Sequence, residues 1–202
     1  MARVPLTKKE VVASRVVLNA KSVALTPEQF FRLCRENPDL QLELTAQKEI
    51  VIMPPAGLKT SWRNSIICTR LTNWAEKDGT GIVLDATGGY TLPNEAVRAP
   101  DASWIRRQRW DALSEDEKEK FGKIYPDFAI ELKSPSDTLA EQQAKMSEYI
   151  DNGTELGWLI DPFDKRVYIY RPGETVECLE NPTSISGDPV LPGFVFNVEE
   201  IW

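Results

Sequence analysis

Residues 125–134, with the sequence YPDFAIELKS, constrain the fold more than any other part of the chain. Every second residue from Phe128 to Leu132 is apolar, whereas Glu131 and Lys133 belong to the alternate set. In a β-strand these two sets project to opposite faces. An acid and an amine between apolar segments are costly to desolvate unless they pair with each other or with a metal ion. The stretch therefore predicts a strand with an apolar face and a charged face that is a candidate for chemistry.

Patterns elsewhere indicate helices and further strands around this one. Thr26 and Thr138 each stand three residues before Gln29 or Glu141, which is the spacing of a helix capping box. Helices are predicted at about residues 26–37, 58–78, 114–117 and 138–151. Strands are predicted at about residues 40–45 and 49–53, which form a hairpin, and at 81–85, 90–92, 99–105, 156–160 and 166–170. We expect a single domain over residues 26–202, preceded by a tail or edge element at residues 1–25.

Composition excludes several classes of function. The formal net charge of −7 and the pI of about 4.9 argue against a protein that coats nucleic acid by bulk electrostatics. The chain has no histidine, so Ser-His-Asp and Cys-His catalysis and imidazole-dependent zinc sites are excluded. Its three cysteines are widely spaced and odd in number, which favours reduced thiols and a cytoplasmic location. No apolar run approaches the length that spans a bilayer.

The spacing of two acids suggests a metal site. Asp101 and Glu131 are thirty residues apart on two predicted strands, with Lys133 two residues further on. If these strands are neighbours, the two carboxylates can hold Mg²⁺ or Mn²⁺, and the lysine can position a water and stabilise negative charge. That combination suits phosphodiester hydrolysis. The ordinary alternatives are a turn residue after proline for Asp101 and a simple ion pair with Glu131 for Lys133.

Pro100-Asp101 followed by Glu131-Leu132-Lys133 resembles the PD-(D/E)XK nuclease signature. Further short motifs, which follow one another in order along the chain, resemble motifs of the bacterial proteins called "putative restriction endonucleases". They extend over most of the chain from Thr26. These motifs include LPN at 92–94, PDASW at 100–104, SPSD at 134–137 and GWLIDP at 157–162.

The resemblance implies a fold and a set of site residues. The fold is an α/β (α+β) restriction-endonuclease-like core, a mixed central β-sheet flanked by helices, with an N-terminal β-hairpin extension. Asp101 and Glu131 would be metal ligands, Glu43 a third carboxylate, and Lys133 the catalytic lysine. Relatives often lack a lysine at the position of Lys133, so Lys145 on the following helix is the alternative catalytic amine. The family also implies a homodimer.

Candidate DNA-binding residues follow the strand that Asp101 precedes. Arg106, Arg107 and Arg109 lie close to Trp104 and Trp110, and guanidinium groups bind phosphates while aromatic rings stack on bases. The alternative is a solvated loop beside an acidic helix.

Four polar residues and one further acid also have two interpretations. Lys59 and Arg63 form a second candidate nucleic-acid patch. Asn64 and Gln142 could order a phosphate or a water, or could equally satisfy a buried backbone group. Asp127 could belong to the metal site or to the turn that precedes its strand.

Two functions from different classes remain open at this point. The first is a metal-dependent endodeoxyribonuclease that hydrolyses phosphodiester bonds by a metal-activated water, with Mg²⁺ or Mn²⁺ as cofactor and DNA as partner. The second is a non-catalytic nuclease-fold binding or assembly module, which the acidic net charge favours. A glycosidase with a carboxylate pair is disfavoured by the lysine beside Glu131 and by the family resemblance.

Overall fold

The structure is a computed structural model that describes residues 15–202. The strands, in chain order, are β1 (Val16–Asn19), β2 (Gln41–Leu44), β3 (Glu49–Met53), β4 (Gly81–Asp85), β5 (Tyr90–Thr91), β6 (Val97–Arg98), β7 (Ala102–Arg106), β8 (Phe128–Leu132), β9 (Leu156–Asp161), β10 (Arg166–Tyr170), β11 (Glu177–Glu180), β12 (Ser184–Ser186) and β13 (Val195–Asn197). The α-helices are α1 (Pro27–Glu36), α2 (Leu58–Asp78), α3 (Arg107–Asp111), α4 (Glu115–Lys118) and α5 (Leu139–Asp151). Two 3₁₀ helices cover Lys21–Val23 and Val198–Ile201.

The alternating stretch forms β8, an inner strand of a six-stranded sheet with the order β11-β10-β9-β8-β7-β4. The β8–β9 pair is parallel and the other pairs are antiparallel, so the sheet is mixed. All five residues of β8 are buried. Its apolar set packs in the core cluster that includes α2, whereas Ala129 packs in the cluster that includes α5. Since side chains alternate along a strand, Glu131 faces the α5 side. The predicted mixed sheet flanked by helices is confirmed.

Helix α5 lies where its charged residues can reach β8. Thr138 accepts a hydrogen bond from the backbone N–H of Glu141, and the Glu141 carboxylate accepts one from the backbone N–H of Thr138, so the predicted capping box is present. Met146 and Tyr149 are buried against the sheet. These contacts hold the helix across β8 and β9 and direct its inner face toward Glu131.

The predicted hairpin is present as β2 and β3, within a separate five-stranded sheet with the order β1-β3-β2-β6-β5. Strand β1 is one edge of this sheet and pairs with β3. It falls in residues 1–25, which the sequence predicts to be a tail or edge element; residues 1–14 lie outside the described residues. Strand β6 was not predicted from the sequence, because two residues are too short for a periodic pattern.

Two composition-based expectations can be compared with the described residues. Cys34, Cys68 and Cys178 are all free, as the sequence predicted. Between residues 15 and 202, every helix is too short or too polar to cross a bilayer.

Candidate active site

Asp101 and Glu131 lie side by side at the end of two neighbouring strands. Strands β7 and β8 pair antiparallel, and their register, continued by one residue beyond β7, places Asp101 opposite Glu131. The Asp101 carboxylate accepts a hydrogen bond from the backbone N–H of Leu132 at 2.8 Å and another from the side-chain amide of Asn64 at 2.7 Å. The structure thus brings together the two acids that the spacing selected, and it adds Asn64 as a residue that orients one of them.

Lys145 is the amine that contacts Glu131. Its Nζ lies 2.8 Å from Oε1 of Glu131 and 2.8 Å from Oε1 of Glu43. Tyr149, one helical turn further along α5, donates its hydroxyl to the same Glu131 oxygen at 3.0 Å. Both glutamates are buried. A lysine from α5 therefore joins an acid of the large sheet to an acid of the small sheet.

Arg98 completes this charged network, although no motif or spacing in the sequence indicated its role. Its guanidinium donates to Glu43 at 3.0 Å and to Glu148 at 2.6 Å, and the backbone N–H of Ala99 also donates to Glu43 at 3.1 Å. Glu43 is therefore surrounded by donors from Arg98, Ala99 and Lys145. It holds Lys145 in place from the side opposite Glu131.

The protonation behaviour of the site follows from this burial and pairing. Burial raises the pKa of Glu131 to about 8, with Asp101 and Glu43 adding to the rise and Lys145 opposing it. Burial also raises the pKa of Asp101 above its ordinary value. For Glu43, burial is outweighed by Lys145 and Arg98, so its pKa is lowered. For Lys145, burial is likewise outweighed, here by Glu131 and Glu43, so its pKa is raised and the ammonium stays charged.

The structure does not bring Lys133 to Glu131. Strand β8 ends at Leu132, and the Lys133 ammonium lies 3.0 Å from Asp161 and 4.9 Å from the centroid of the Phe163 ring. Asp161 is buried, so this ion pair satisfies an acid at the end of β9. The expectation that Lys133 pairs with Glu131 is therefore wrong, because the buried carboxylate of Asp161 on the neighbouring strand binds the Lys133 ammonium, and Lys145 contacts Glu131 instead.

The three candidate DNA-binding arginines lie far from the acids. Arg106 is the last residue of β7 and Asp101 immediately precedes its first, which puts them roughly 17 Å apart at 3.3 Å per residue. Arg106 pairs with Glu155 at 2.5 Å and with Asp127, and Arg109 pairs with Asp127 at 2.9 Å. The arginine cluster is thus partly neutralised at the opposite end of the strand, and Asp127 belongs to it rather than to the acid pair.

Arg107, the remaining arginine of that cluster, and the nearby residues Trp104 and Trp110 are also poorly placed to bind DNA. Arg107 begins the short helix α3, which the sequence did not predict, and donates to the carbonyl of Gly79. Trp104 is buried in the core and Trp110 is partly buried. These rings are therefore not open to a nucleotide base.

A cavity of about 2050 Å³ lies between the small sheet and the end of the large sheet. The proposed site residues that line it are Glu43, Asn64, Asp101, Glu131, Gln142 and Lys145. The side-chain oxygens of Asn64 and Gln142 are buried and have no hydrogen-bond partner. Unsatisfied buried acceptors are rare in proteins and call for a ligand, an ion or a water. Lys59 also lines this cavity.

Comparison with known proteins places the chain in a family. The family model described as "Uma2: Putative restriction endonuclease" matches residues 27–199. The chain belongs to the Uma2 family. Among solved structures, it is similar to a "putative nuclease belonging to DUF820" from Anabaena variabilis, with a TM-score of 0.74, 22% sequence identity, and coverage of 88% of this chain and 97% of that one. Comparison with curated proteins gives no significant match.

The Uma2 site can be tested for its fit to a divalent cation. Restriction-endonuclease-like families usually use divalent metals. Within residues 15–202, no group of three Asp, Glu or Cys side chains forms a metal site by itself. Asp101 and Glu131 are nevertheless adjacent, and the buried oxygens of Asn64 and Gln142 lack partners. Carboxylate and amide oxygens are the donors that Mg²⁺ and Mn²⁺ prefer, so the donor set fits such a cation.

Proposed function

We propose that this Uma2 protein is a Mg²⁺- or Mn²⁺-dependent endodeoxyribonuclease that hydrolyses phosphodiester bonds. The observation that carries the proposal is the adjacency of Asp101 and Glu131 in a large cavity, with the charged amine of Lys145 at 2.8 Å from Glu131. Buried acids and a buried amine are expensive to keep, and perturbed pKa values cluster at functional sites. The membership in a family of nuclease-like proteins supports the same conclusion.

Asp101 and Glu131 would hold the cation, assisted by the amide oxygens of Asn64 and Gln142. When bound, the cation supplies Lewis-acid stabilisation of negative charge on the phosphate. Asn64 and the Leu132 N–H fix the orientation of the Asp101 carboxylate. Tyr149 similarly fixes Glu131.

Lys145 acts as a donor rather than as a base in this proposal. Its pKa is raised by Glu131 and Glu43, which outweigh its burial, so the ammonium keeps its protons at neutral pH. A fixed ammonium beside the acid pair can orient an attacking water and donate to a phosphoryl oxygen as charge develops there. Glu43 and Arg98 set the position of that ammonium without contacting the substrate.

DNA as substrate, homodimerisation and a cytoplasmic location belong to this proposal as predictions. A homodimer would place two such sites on one duplex and allow both strands to be cut. Sedimentation at several protein concentrations would measure the oligomeric state directly.

The decisive measurement is cleavage of supercoiled plasmid in Mg²⁺ or Mn²⁺ by the wild type and three variants. Asp101→Asn removes a proposed metal ligand, Lys145→Met removes the donor, and Lys133→Met removes the rival lysine. We expect the first two to lose roughly a hundredfold or more in the single-turnover rate, as for other losses of transition-state stabilisation. Lys133→Met should stay within about threefold of the wild type at saturating protein, because its contacts are with Asp161 and Phe163.

A Mn²⁺ titration by calorimetry separates the two roles. Asp101→Asn should lose metal binding, whereas Lys145→Met should bind Mn²⁺ and still fail to cleave. Circular dichroism checks that each variant is folded. Cleavage that persists in EDTA, or in Asp101→Asn, would contradict the proposal. Absence of both cleavage and Mn²⁺ binding in the wild type would instead favour a non-catalytic module.

A further inference from the structure

Two aromatic side chains near the site are open to solvent. Trp62, early in α2, is 47% exposed, and Phe163, in the turn between β9 and β10, is 49% exposed. They are the only Trp, Phe or Tyr residues between 15 and 202 that are exposed. Single exposed apolar side chains are common, but two exposed rings near a candidate active site suit a ligand that has flat apolar faces.

Two cations lie close to the Phe163 ring. The Arg63 guanidinium carbon lies 5.9 Å from the Phe163 ring centroid, and the Lys133 ammonium lies 4.9 Å from it. Lys59 stands three residues before Trp62, so the two side chains are neighbours on the surface of α2. Arg63 is buried, and its Nε donates to the backbone carbonyl of Ile201 at 2.7 Å, so it is not open to a ligand. Lys59 is exposed and, in the part of the chain that the structure describes, forms no ion pair with an acid. We call Lys59, Trp62 and Phe163 the aromatic surface.

The aromatic surface borders the acid pair. Trp62 stands two residues before Asn64, whose amide donates to Asp101. Lys133, which lies over the Phe163 ring, follows Leu132, whose N–H donates to Asp101. Lys59 itself lines the cavity that holds the acids. A nucleic-acid strand with a phosphate at Asp101 would therefore present its neighbouring nucleotides to this surface.

We propose that the aromatic surface binds a single-stranded segment of DNA next to the cleaved phosphate. This inference rests on the proposed nuclease function and adds that the nucleotides next to the cleaved phosphate are unpaired, as in a locally opened stretch of a supercoiled duplex. Trp62 and Phe163 would stack on bases, and Lys59 would bind a phosphate. In a duplex the face of each base is covered by its neighbours, so a protein ring can stack only on a base that is unpaired, terminal or unstacked.

Charge also favours stacking as the main source of affinity. The chain carries a net charge of −7, so long-range attraction to a polyanion is weak. At the other end of β7, Arg106 and Arg109 are paired with acids, and the nearby Trp104 ring is buried. On the aromatic surface, by contrast, both rings are exposed, and Lys59 has no acidic partner among residues 15–202. Stacking is effective without a strongly basic groove.

The test is fluorescence anisotropy with a labelled single-stranded DNA oligonucleotide and with the same sequence as a duplex, both in EDTA so that cleavage cannot interfere. Trp62→Ala and Phe163→Ala should each weaken single-strand binding roughly five- to a hundredfold, because each base–aromatic stack contributes that much. Trp62→Phe and Phe163→Tyr keep a ring and should retain most of the affinity. Duplex binding should change little in all four variants.

Matched controls separate the surface from general effects of mutation. Val176→Ala removes an exposed apolar side chain beside β11, at the end of β10 opposite the Phe163 turn, and should bind like the wild type. Lys59→Ala should reduce the slope of log affinity against log salt by about one, whereas Arg107→Ala, an exposed cation at the far end of β7, should not change it.

The outcomes distinguish this inference from the proposed function. Wild-type single-strand affinity in Trp62→Ala and Phe163→Ala would overturn the inference, whether or not the protein cleaves DNA. An equal loss of single-strand and duplex binding would also overturn it, since that result indicates backbone contacts. Selective loss of single-strand binding, with no cleavage by the wild type in Mg²⁺ or Mn²⁺, would support the surface and reject the nuclease.

Discussion

At the scale of single residues, Glu131 is the most unusually placed group in the protein. It is buried beside Asp101 and within contact of Lys145, and it receives the Tyr149 hydroxyl. Burial is the largest cause of its raised pKa, and the neighbouring acids add to it. Without a bound cation, this carboxyl therefore holds a proton at pH values where an exposed glutamate is ionised.

This raised pKa predicts the pH dependence of stability in the metal-free protein. The folded state retains the proton up to about pH 8, whereas an unfolded glutamate loses it near pH 4.3. The folded state thus binds more protons in this window, and the stability that Glu131 contributes is lost as pH rises through it. In EDTA, Glu131→Gln should have a higher Tm than the wild type at about pH 9, and this advantage should shrink toward pH 5.

Thermal unfolding followed by circular dichroism measures this difference. The exposed Glu174→Gln variant is the matched control and should follow the wild type at each pH. Parallel Tm curves for Glu131→Gln and the wild type across the window would show that Glu131 is not protonated in the folded state. Addition of Mn²⁺ should raise the Tm of the wild type and not that of Asp101→Asn.

At the scale of secondary-structure elements, α5 is the helix that completes the candidate site. Its Lys145 and Tyr149 side chains contact Glu131, and its Glu148 side chain pairs with Arg98. The direction of the helix is set at its start by the capping box of Thr138 and Glu141. Helix α1 starts with the same device at Thr26, but contributes no residue to the acid pair. The two helices therefore offer a matched comparison.

Thr138→Ala and Thr26→Ala should each cost about 1 kcal/mol of stability through the loss of a cap. Either change should lower the Tm by about 2–4 °C in a chain of this size. Only Thr138→Ala should also reduce the cleavage rate, because fraying of α5 loosens Lys145. Thr138→Ser keeps the hydroxyl and should restore both properties. Equal effects of the two alanine variants on cleavage would contradict this assignment to α5.

At the scale of the whole molecule, Arg98 joins the two sheets and α5. It lies on β6 of the small sheet and contacts Glu43 of β2 and Glu148 of α5, and its side chain is largely buried. Lys145 then continues the connection from Glu43 to Glu131 of the large sheet. Paired charges thus connect the walls of the cavity, in addition to the apolar cluster in which Tyr90 of the small sheet packs with Ile105 and Ala129 of the large sheet.

Arg98→Met should destabilise the protein by about 3–5 kcal/mol, because it removes a largely buried cation that pairs with two largely buried acids, Glu43 and Glu148. Arg70→Met is the matched control, since Arg70 pairs with Glu200 at the surface, and it should cost less than about 1 kcal/mol. Denaturant unfolding measures both values. An Arg98→Met midpoint equal to that of Arg70→Met would show that the network does not hold the sheets together.

Local patterns in the sequence were sufficient for much of the fold. The alternation in β8, the capping boxes at Thr26 and Thr138 and the β2–β3 hairpin all depend on residues close together in the chain, and each is present. The pair Asp101 and Glu131 was also selected from spacing and family resemblance. That choice needed only neighbouring strands, because adjacent antiparallel strands place such residues opposite each other.

Tertiary structure alone decided which cations serve the acids. Lys133 is two residues from Glu131 but pairs with Asp161, whereas Lys145 is fourteen residues away and reaches Glu131 because α5 crosses β8. The arginines after β7 were predicted to bind DNA because of their charge, but the extended strand β7 places them far from Asp101. A long charged side chain pairs with the opposite charge that tertiary packing places within about 4 Å of it. The distance between the two residues along the sequence does not determine that partner.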